Sequence, residues 1–266
     1  DDEYNTLRFN VNKNDDNNIY DIVIDPGHGG MDSGASKNGY READLTMKIA
    51  KNLKDKLEKN GIKVKLTRED GQLTNNEVLK DYGKGGRAVI NHEVHAKYLF
   101  SIHLNSNISS SVHGLEVYTP ANIDYEFAKN LTNNIVKGAN TSYSTNKINK
   151  MFDGIYTRTF SEYDIKSSLE EYNNKNLQAY EITTKSNYYF MIRETGGIMT
   201  GAYVDYRNEP KILGNPYYNS NVGSEAYLLE LAYLTNGNDL ENINNNLDKY
   251  TDAMANSFIA IFSREA

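Results

Sequence analysis

Four side chains could act together chemically. His28 follows a short apolar run in IVIDPGHGG, His103 ends a second one in SIHLN, Glu42 opens a helical segment, and Glu230 is enclosed in YLLELAYLTNGND. Two histidines and a carboxylate, brought from two strand ends and a helix start, make a three-donor zinc site with a fourth position open. A second carboxylate nearby can act as a base toward water at the metal. The set points to metal-assisted hydrolysis of an amide. The residues alone leave the third donor open, because Asp44, Glu69 and Asp70 rival Glu42, and an acidic residue is favoured at any helix start. Glu230 lies between Leu229 and Leu231. Burying an unpaired carboxylate there costs several kcal/mol, so a partner or a function is expected. Asp25 is read as holding a neighbouring ligand or loop in place. Arg193 is read either as a group for a substrate carboxylate or oxyanion or as a structural ion pair with Glu194 or Glu230. His92 and His95 in HEVH are three apart, not the four of a zinc-binding HExxH helix, and are read as a solvated helix face. His113 is read as a strand-edge residue.

The elements that must position these groups alternate in type. Residues 19–25, 62–67, 98–102, 114–118, 188–192 and 227–232 read as strands. Residues 42–60 carry Leu45, Ile49, Leu53 and Leu57 at i, i+4 spacing and end at Gly61, which predicts an amphipathic helix with a glycine cap. Residues 86–96, 125–136 and 240–262 also read as helices. This alternation predicts an α/β single domain, a twisted, mainly parallel sheet flanked by helices on both faces, with the site at the carboxyl edge of its strands. Residues 1–18 read as a polar tail or linker with a short strand at 7–11, and residues 19–266 as the catalytic domain. Two polar, tyrosine-rich stretches, about 141–187 and 195–224, interrupt the pattern as insertions and are expected to be functional.

Bulk composition narrows the choice. The chain has 266 residues, 38% of them hydrophobic, no Cys and a formal net charge of −7. Without Cys, thiolate ligands, disulfides and a Cys nucleophile are excluded, so a metal must use His and carboxylate. The acidic balance argues against a nucleic-acid partner. No apolar run approaches the roughly 20 residues that span a bilayer. The chain opens at Asp1, which is read as the mark of a processed protein or an excised domain.

Taken in order, VIDPGHGGMDSGA, Glu42, GIKVKLTRED, Arg87 and Asn91, LFSIHLN, HGLEVYT, FMIRETG and YLLELAYLTNGND resemble one family. Residues from about 20 to 262 are similar to the zinc-dependent N-acetylmuramoyl-L-alanine amidases of the amidase 3 group, which cut bacterial peptidoglycan. The resemblance implies one Zn2+ held by His28, Glu42 and His103, with Glu230 as catalytic acid/base; Asp25, Asn105 and Arg193 are read as substrate-binding or supporting candidates beside them. It implies the bond between N-acetylmuramic acid and L-alanine as the target and an extracellular, cell-wall location. The partners it implies are peptidoglycan and an activator protein or a separate wall-binding domain. The rivals are another zinc hydrolase of the stem peptide and a gated or weakly active peptidoglycan-binding module. The chain departs from the pattern in its Leu104, its Lys97, its ELAYLTN block and the about 125 residues between His103 and Glu230. Because Ile192-Arg193 and Glu230 flank it, the 195–224 insertion is expected to form a wall of the substrate groove or a lid, and some relatives gate the zinc with such an inserted element.

Overall fold

The computed structural model describes residues 19–70, 85–88, 90–120, 123–174, 183–195 and 224–265. The expected N-terminal tail and its strand, and nearly all of the 195–224 insertion, lie outside them.

Strands β1 (Ile22–Pro26), β4 (Val64–Leu66), β5 (Tyr98–Asn105), β6 (Glu116–Tyr118), β7 (Lys150–Phe152), β8 (Ile155–Tyr156) and β9 (Glu225–Tyr233) form one sheet in the order β4-β1-β5-β9-β6-β8-β7. The β4–β1, β1–β5, β5–β9 and β6–β8 pairs are parallel, while β6 runs antiparallel to β9 and β7 to β8. A two-stranded hairpin, β2 (Ser36–Lys37) with β3 (Tyr40–Arg41), precedes helix α1 (Glu42–Glu58). The other described helices are α2 (Ile90–Glu93), α3 (Glu126–Gly138), α4 (Glu162–Asn174), α5 (Phe190–Thr195), α6 (Gly237–Asn245) and α7 (Leu247–Glu265).

The central strands are apolar on both faces because helices cover both. Ile22, Ile24, Phe100, Ile102, Tyr227 and Leu229 pack with Leu45, Ile49 and Leu53 of α1, Leu131 of α3, and Met254 and Phe258 of α7. The alternate residues Val23, Leu99 and Ala226 pack with Ile90 of α2 and Met191 of α5, and Tyr118 and Leu228 with Ile192 of α5. Helix α1 buries Leu45, Ile49, Leu53 and Leu57 as its spacing predicts, and Gly61 at φ +80° closes it. Beyond the strands, Asp239 fastens β9 to β6, since its Oδ2 accepts from Tyr233 N (2.8 Å) and Gly114 N (2.7 Å).

Several expectations need correction. The segment predicted as a strand at 188–192 instead starts helix α5 at Phe190. A short apolar run does not distinguish the two forms, and β5 and β6 already flank β9 on both edges. The helix predicted over 86–96 reduces to the single turn of α2, and His95 adopts φ +54° just beyond it. The helix predicted over 240–262 is broken at Asn246 into α6 and α7. The 141–187 stretch is not separate from the domain: it supplies β7 and β8, and Ile155 and Tyr156 are fully buried.

Candidate metal centre

The loop after β1 is held from several sides. His28 adopts φ +57°, followed by Gly29 at +120° and Gly30 at +60°. A left-handed non-glycine residue costs of order 1–3 kcal/mol and persists only where its surroundings fix it. Here Arg68 donates to Pro26 O (2.9 Å), Gly27 O (3.1 Å) and Ala43 O (2.9 Å). Thr46 Oγ1 donates to Gly27 O at 2.9 Å. Arg87 donates to Pro26 O and to His28 O.

Asp25 lies beneath this loop, fully buried, and accepts from Arg87 Nη1 (3.0 Å), Thr67 Oγ1 (2.5 Å) and Ser101 Oγ (2.6 Å). Burial alone would raise its pKa; the Arg87 charge and the two hydroxyl donors outweigh burial and lower it. Asp25→Ala is therefore expected to strand the buried Arg87 cation and cost about 3–5 kcal/mol, seen as a lower denaturant midpoint.

His28, Glu42 and His103 offer ligand atoms that all lie within 4.8 Å of one another. Glu42 Oε2 lies 3.1 Å from His28 Nε2 and Oε1 lies 3.1 Å from His103 Nδ1. The same carboxylate accepts from Ala35 N (3.0 Å) and Leu104 N (3.0 Å). Burial would raise the Glu42 pKa, but its bonds to His103 and His28 bring it far below the carboxylate range. For His28, burial lowers the pKa and the contacts with Glu42 and Asp32 more than reverse this. A carboxylate and two imidazole nitrogens converging in this way fit zinc by donor type and number. The rival carboxylates face elsewhere: Asp44 pairs with Arg41, Asp70 with Lys51, and Glu69 is exposed.

Glycines make room for the two rings. A Cβ on Gly27 would lie 2.3 Å from the His103 ring, and one on Gly34 would lie 2.5 Å from His28 and 2.6 Å from Glu42 Oε2. Gly27→Ala is expected to push His103 aside and weaken metal binding about 10–100-fold without unfolding the chain. Chelator competition with circular dichroism checks both parts.

Asp32 was not singled out from the sequence. Its Oδ2 lies 2.8 Å from His28 Nδ1 and its Oδ1 accepts from Gly34 N at 2.9 Å. Its bond to Nδ1 leaves Nε2 to face the other donors, which is how outer carboxylates orient ligand histidines. The signal was in GHGGMDSGA, a carboxylate four residues after His28.

Glu230 pairs in register with His103 on β5 and with Glu116 on β6, so the three stand in one row across the sheet. Its side chain is buried, and its Oε2 has no hydrogen-bond partner among the described residues. Burial, reinforced by the charges of Glu42 and Glu116, raises its pKa well above the usual carboxylate value. Glu116 was missed in the sequence, although LEVY encloses it much as LLELAY encloses Glu230.

The remaining sequence candidates sit differently. Asn105 Nδ2 donates to Glu116 Oε2 (3.1 Å), so it serves that carboxylate. Arg193 is buried in α5, donates to Asn187 O (2.9 Å) and Tyr188 O (2.8 Å), and pairs with Glu194 at 3.2 Å. The structure thus gives it a structural ion pair with Glu194. His92 is no solvated face residue: it is half-buried, and that burial lowers its pKa. His113 Nδ1 meets Ser142 Oγ at 3.1 Å, just ahead of β6.

The sequence profile of the N-acetylmuramoyl-L-alanine amidase family, Amidase_3, matches residues 22–260. The chain belongs to this family. Its members among solved structures share the fold. The amidase AmiC2 of Nostoc punctiforme is 21% identical, with a TM-score of 0.55 over 92% of this chain and 97% of that one. The CwlD amidase of Clostridioides difficile, solved in complex with the GerS lipoprotein, is 18% identical, with a TM-score of 0.57 over 92% and 98%. A curated relative, the probable cell wall amidase LytH of Staphylococcus aureus, is 40% identical over 100 residues. That match spans 36% of this family member and 30% of the relative.

Proposed function

We propose that this protein is a zinc-dependent amidase of bacterial peptidoglycan, cleaving the amide between the lactyl group of N-acetylmuramic acid and L-alanine. One observation carries this reading. A His28–Glu42–His103 donor set lies beside a buried carboxylate, Glu230, whose Oε2 has no partner among the described residues. Zinc bound by those three residues supplies Lewis-acid polarisation of the scissile carbonyl and makes water more acidic.

The chain's own groups carry the proton. Glu230, as carboxylate, takes one from the attacking water while the water oxygen bonds to the carbonyl carbon. As carboxylic acid it then passes that proton to the nitrogen as the C–N bond breaks. Burial favours the protonated form of Glu230, the form that donates in the second step. Asp32 holds the His28 ring, and Asp25 with Arg87 and Arg68 holds the backbone beneath it. The site of action in this reading is the cell wall, outside the membrane. Among the described residues no helix is long and apolar enough to cross a membrane. The CwlD–GerS complex supports a partner protein, there a lipoprotein, for this reading. Digestion of purified peptidoglycan tests the reading: new L-alanine amino groups should appear while the glycan strands stay intact.

A further inference from the structure

A cavity of about 480 Å³ opens beside the metal centre. Gly29 and Ala43 line it, and each directly follows a metal donor, His28 and Glu42, so the cavity and the centre share a wall. Four cations also line it. Arg41, Lys48 and Lys51 come from α1 and the residue before it, and Arg68 lies just after β4. Two carboxylates of the lining answer them: Asp70 is bonded to Lys51, and Asp44 lies 3.7 Å from Arg41. Lys48 is exposed and has no partner among the described residues. Lys48 and Arg68 are therefore left over, in a chain whose net charge is −7.

Arg68 is built in rather than loose on the surface. It is 6% exposed, and its Nε and Nη2 serve the carbonyls of Pro26, Gly27 and Ala43. A Cβ on Gly29 would meet Arg68 Nε at 2.7 Å, so the guanidinium lies flush against the loop that carries His28. Nη1 has no bond among the described residues and is not sealed from solvent, and the open space that Arg68 lines is this cavity. Burial and the Arg87 charge lower the Arg68 pKa, and Asp25, Asp70 and Asp44 offset this only in part. A largely buried cation with a donor to spare is stabilised by an anion placed against it.

We propose that this cavity is a subsite for a carboxylate on the peptide side of the scissile amide, held by Arg68 and Lys48, and that it makes the enzyme prefer stem peptides whose second residue carries a free carboxylate. The inference rests on the amidase reading above. An extended peptide advances only about 3.3–3.6 Å per residue. A group one or two residues from an amide at the metal therefore reaches a cavity walled by the residues next to His28 and Glu42. A guanidinium arm and an ammonium suit a carboxylate by charge and by donor geometry. A carboxamide in the same place gains no charge attraction and turns N–H donors toward two cations.

The test uses the zinc-loaded chain and two muramoyl-tripeptides that differ at one group. One carries γ-linked D-glutamate as second residue, with its α-carboxylate free; the other carries D-isoglutamine, with a carboxamide there. The wild type should cleave the acid with kcat/KM about 10–100-fold above that of the amide. The preference should shrink as salt is raised from about 0.05 to about 0.5 M, because Lys48 is exposed and its attraction is screened. Lys48→Glu should lower kcat/KM for the acid about tenfold more than for the amide. Arg68→Lys should also reduce the preference if the loop holds its shape; if it does not, Lys48→Glu decides. Equal kcat/KM for the two substrates, or a preference that Lys48→Glu leaves intact, would overturn the subsite while the amidase reading stands. Cleavage of neither substrate would overturn the amidase reading itself.

Discussion

Glu230→Gln should lower kcat about 10²–10⁴-fold while leaving the chain folded, metal-loaded and at least as stable. The amide keeps the shape of the side chain and loses the ability to take a proton. Stability should hold or rise because the native carboxylate is poorly placed as a charge. It is buried, its Oε2 has no partner among the described residues, and Glu42 and Glu116 repel it. Relief of such a site is worth about 0.5–2 kcal/mol. The sign with pH follows from the raised pKa. In the metal-free protein this group favours folding fully below the ordinary carboxylate value, and that contribution fades as pH rises through the folded pKa. The stabilising effect of Glu230→Gln should therefore be small in acid and grow toward neutral pH. Chemical denaturation of both metal-free proteins across that range measures it. A variant that keeps activity within tenfold would remove Glu230 from the chemistry.

Metal removal should abolish turnover without unfolding the protein. The donors stay gathered without the ion, because Glu42 bridges His28 and His103 and accepts from Ala35 N and Leu104 N. Binding at about 100 times Kd adds about 2.7 kcal/mol, which for a chain of this size moves the thermal midpoint by on the order of 5–10 °C. A chelator should lower the midpoint by that amount, eliminate amide cleavage, and be reversed by added zinc. His103→Ala should resist such rescue, since two donors remain where zinc needs three and an open place. Glu42→Gln should be the worse folder of the two. A Gln amide turns one oxygen into a donor, so it must oppose either the Ala35 or the Leu104 N–H, both of which now bond to oxygen. Metal analysis and calorimetry of the three proteins check the order.

The parts of this site carried by regular, strongly patterned elements were legible in the sequence. The apolar runs ending at His28 and His103, the i, i+4 row of Leu45, Ile49, Leu53 and Leu57 after Glu42 and the carboxylate inside LLELAY mark the elements, whereas the choice of Glu42 over Asp44, Glu69 and Asp70 came from the family resemblance. Residues whose role depends on the partner across the sheet were not legible. Glu116 is made significant by its register with Glu230, and Asp32 by a loop that turns His28 into a left-handed conformation. Two hairpins carry turn signals in the sequence. Asn38-Gly39 at φ +51° and +82° turns β2 into β3, and Asp153-Gly154 turns β7 into β8. Both are dipeptides that favour tight hairpins. The second hairpin sits in what looked like an insertion, where polar composition outweighed the turn signal. Helix α5 failed for another reason. Six residues are too few for periodicity to show, and its burial comes from the sheet face it covers.

The most direct test is zinc stoichiometry measured together with the products released from purified peptidoglycan. One zinc per chain, new N-terminal L-alanine and intact glycan strands are the predicted result. A correctly folded chain that binds no metal, or that binds zinc and frees no L-alanine amino groups, would contradict the account.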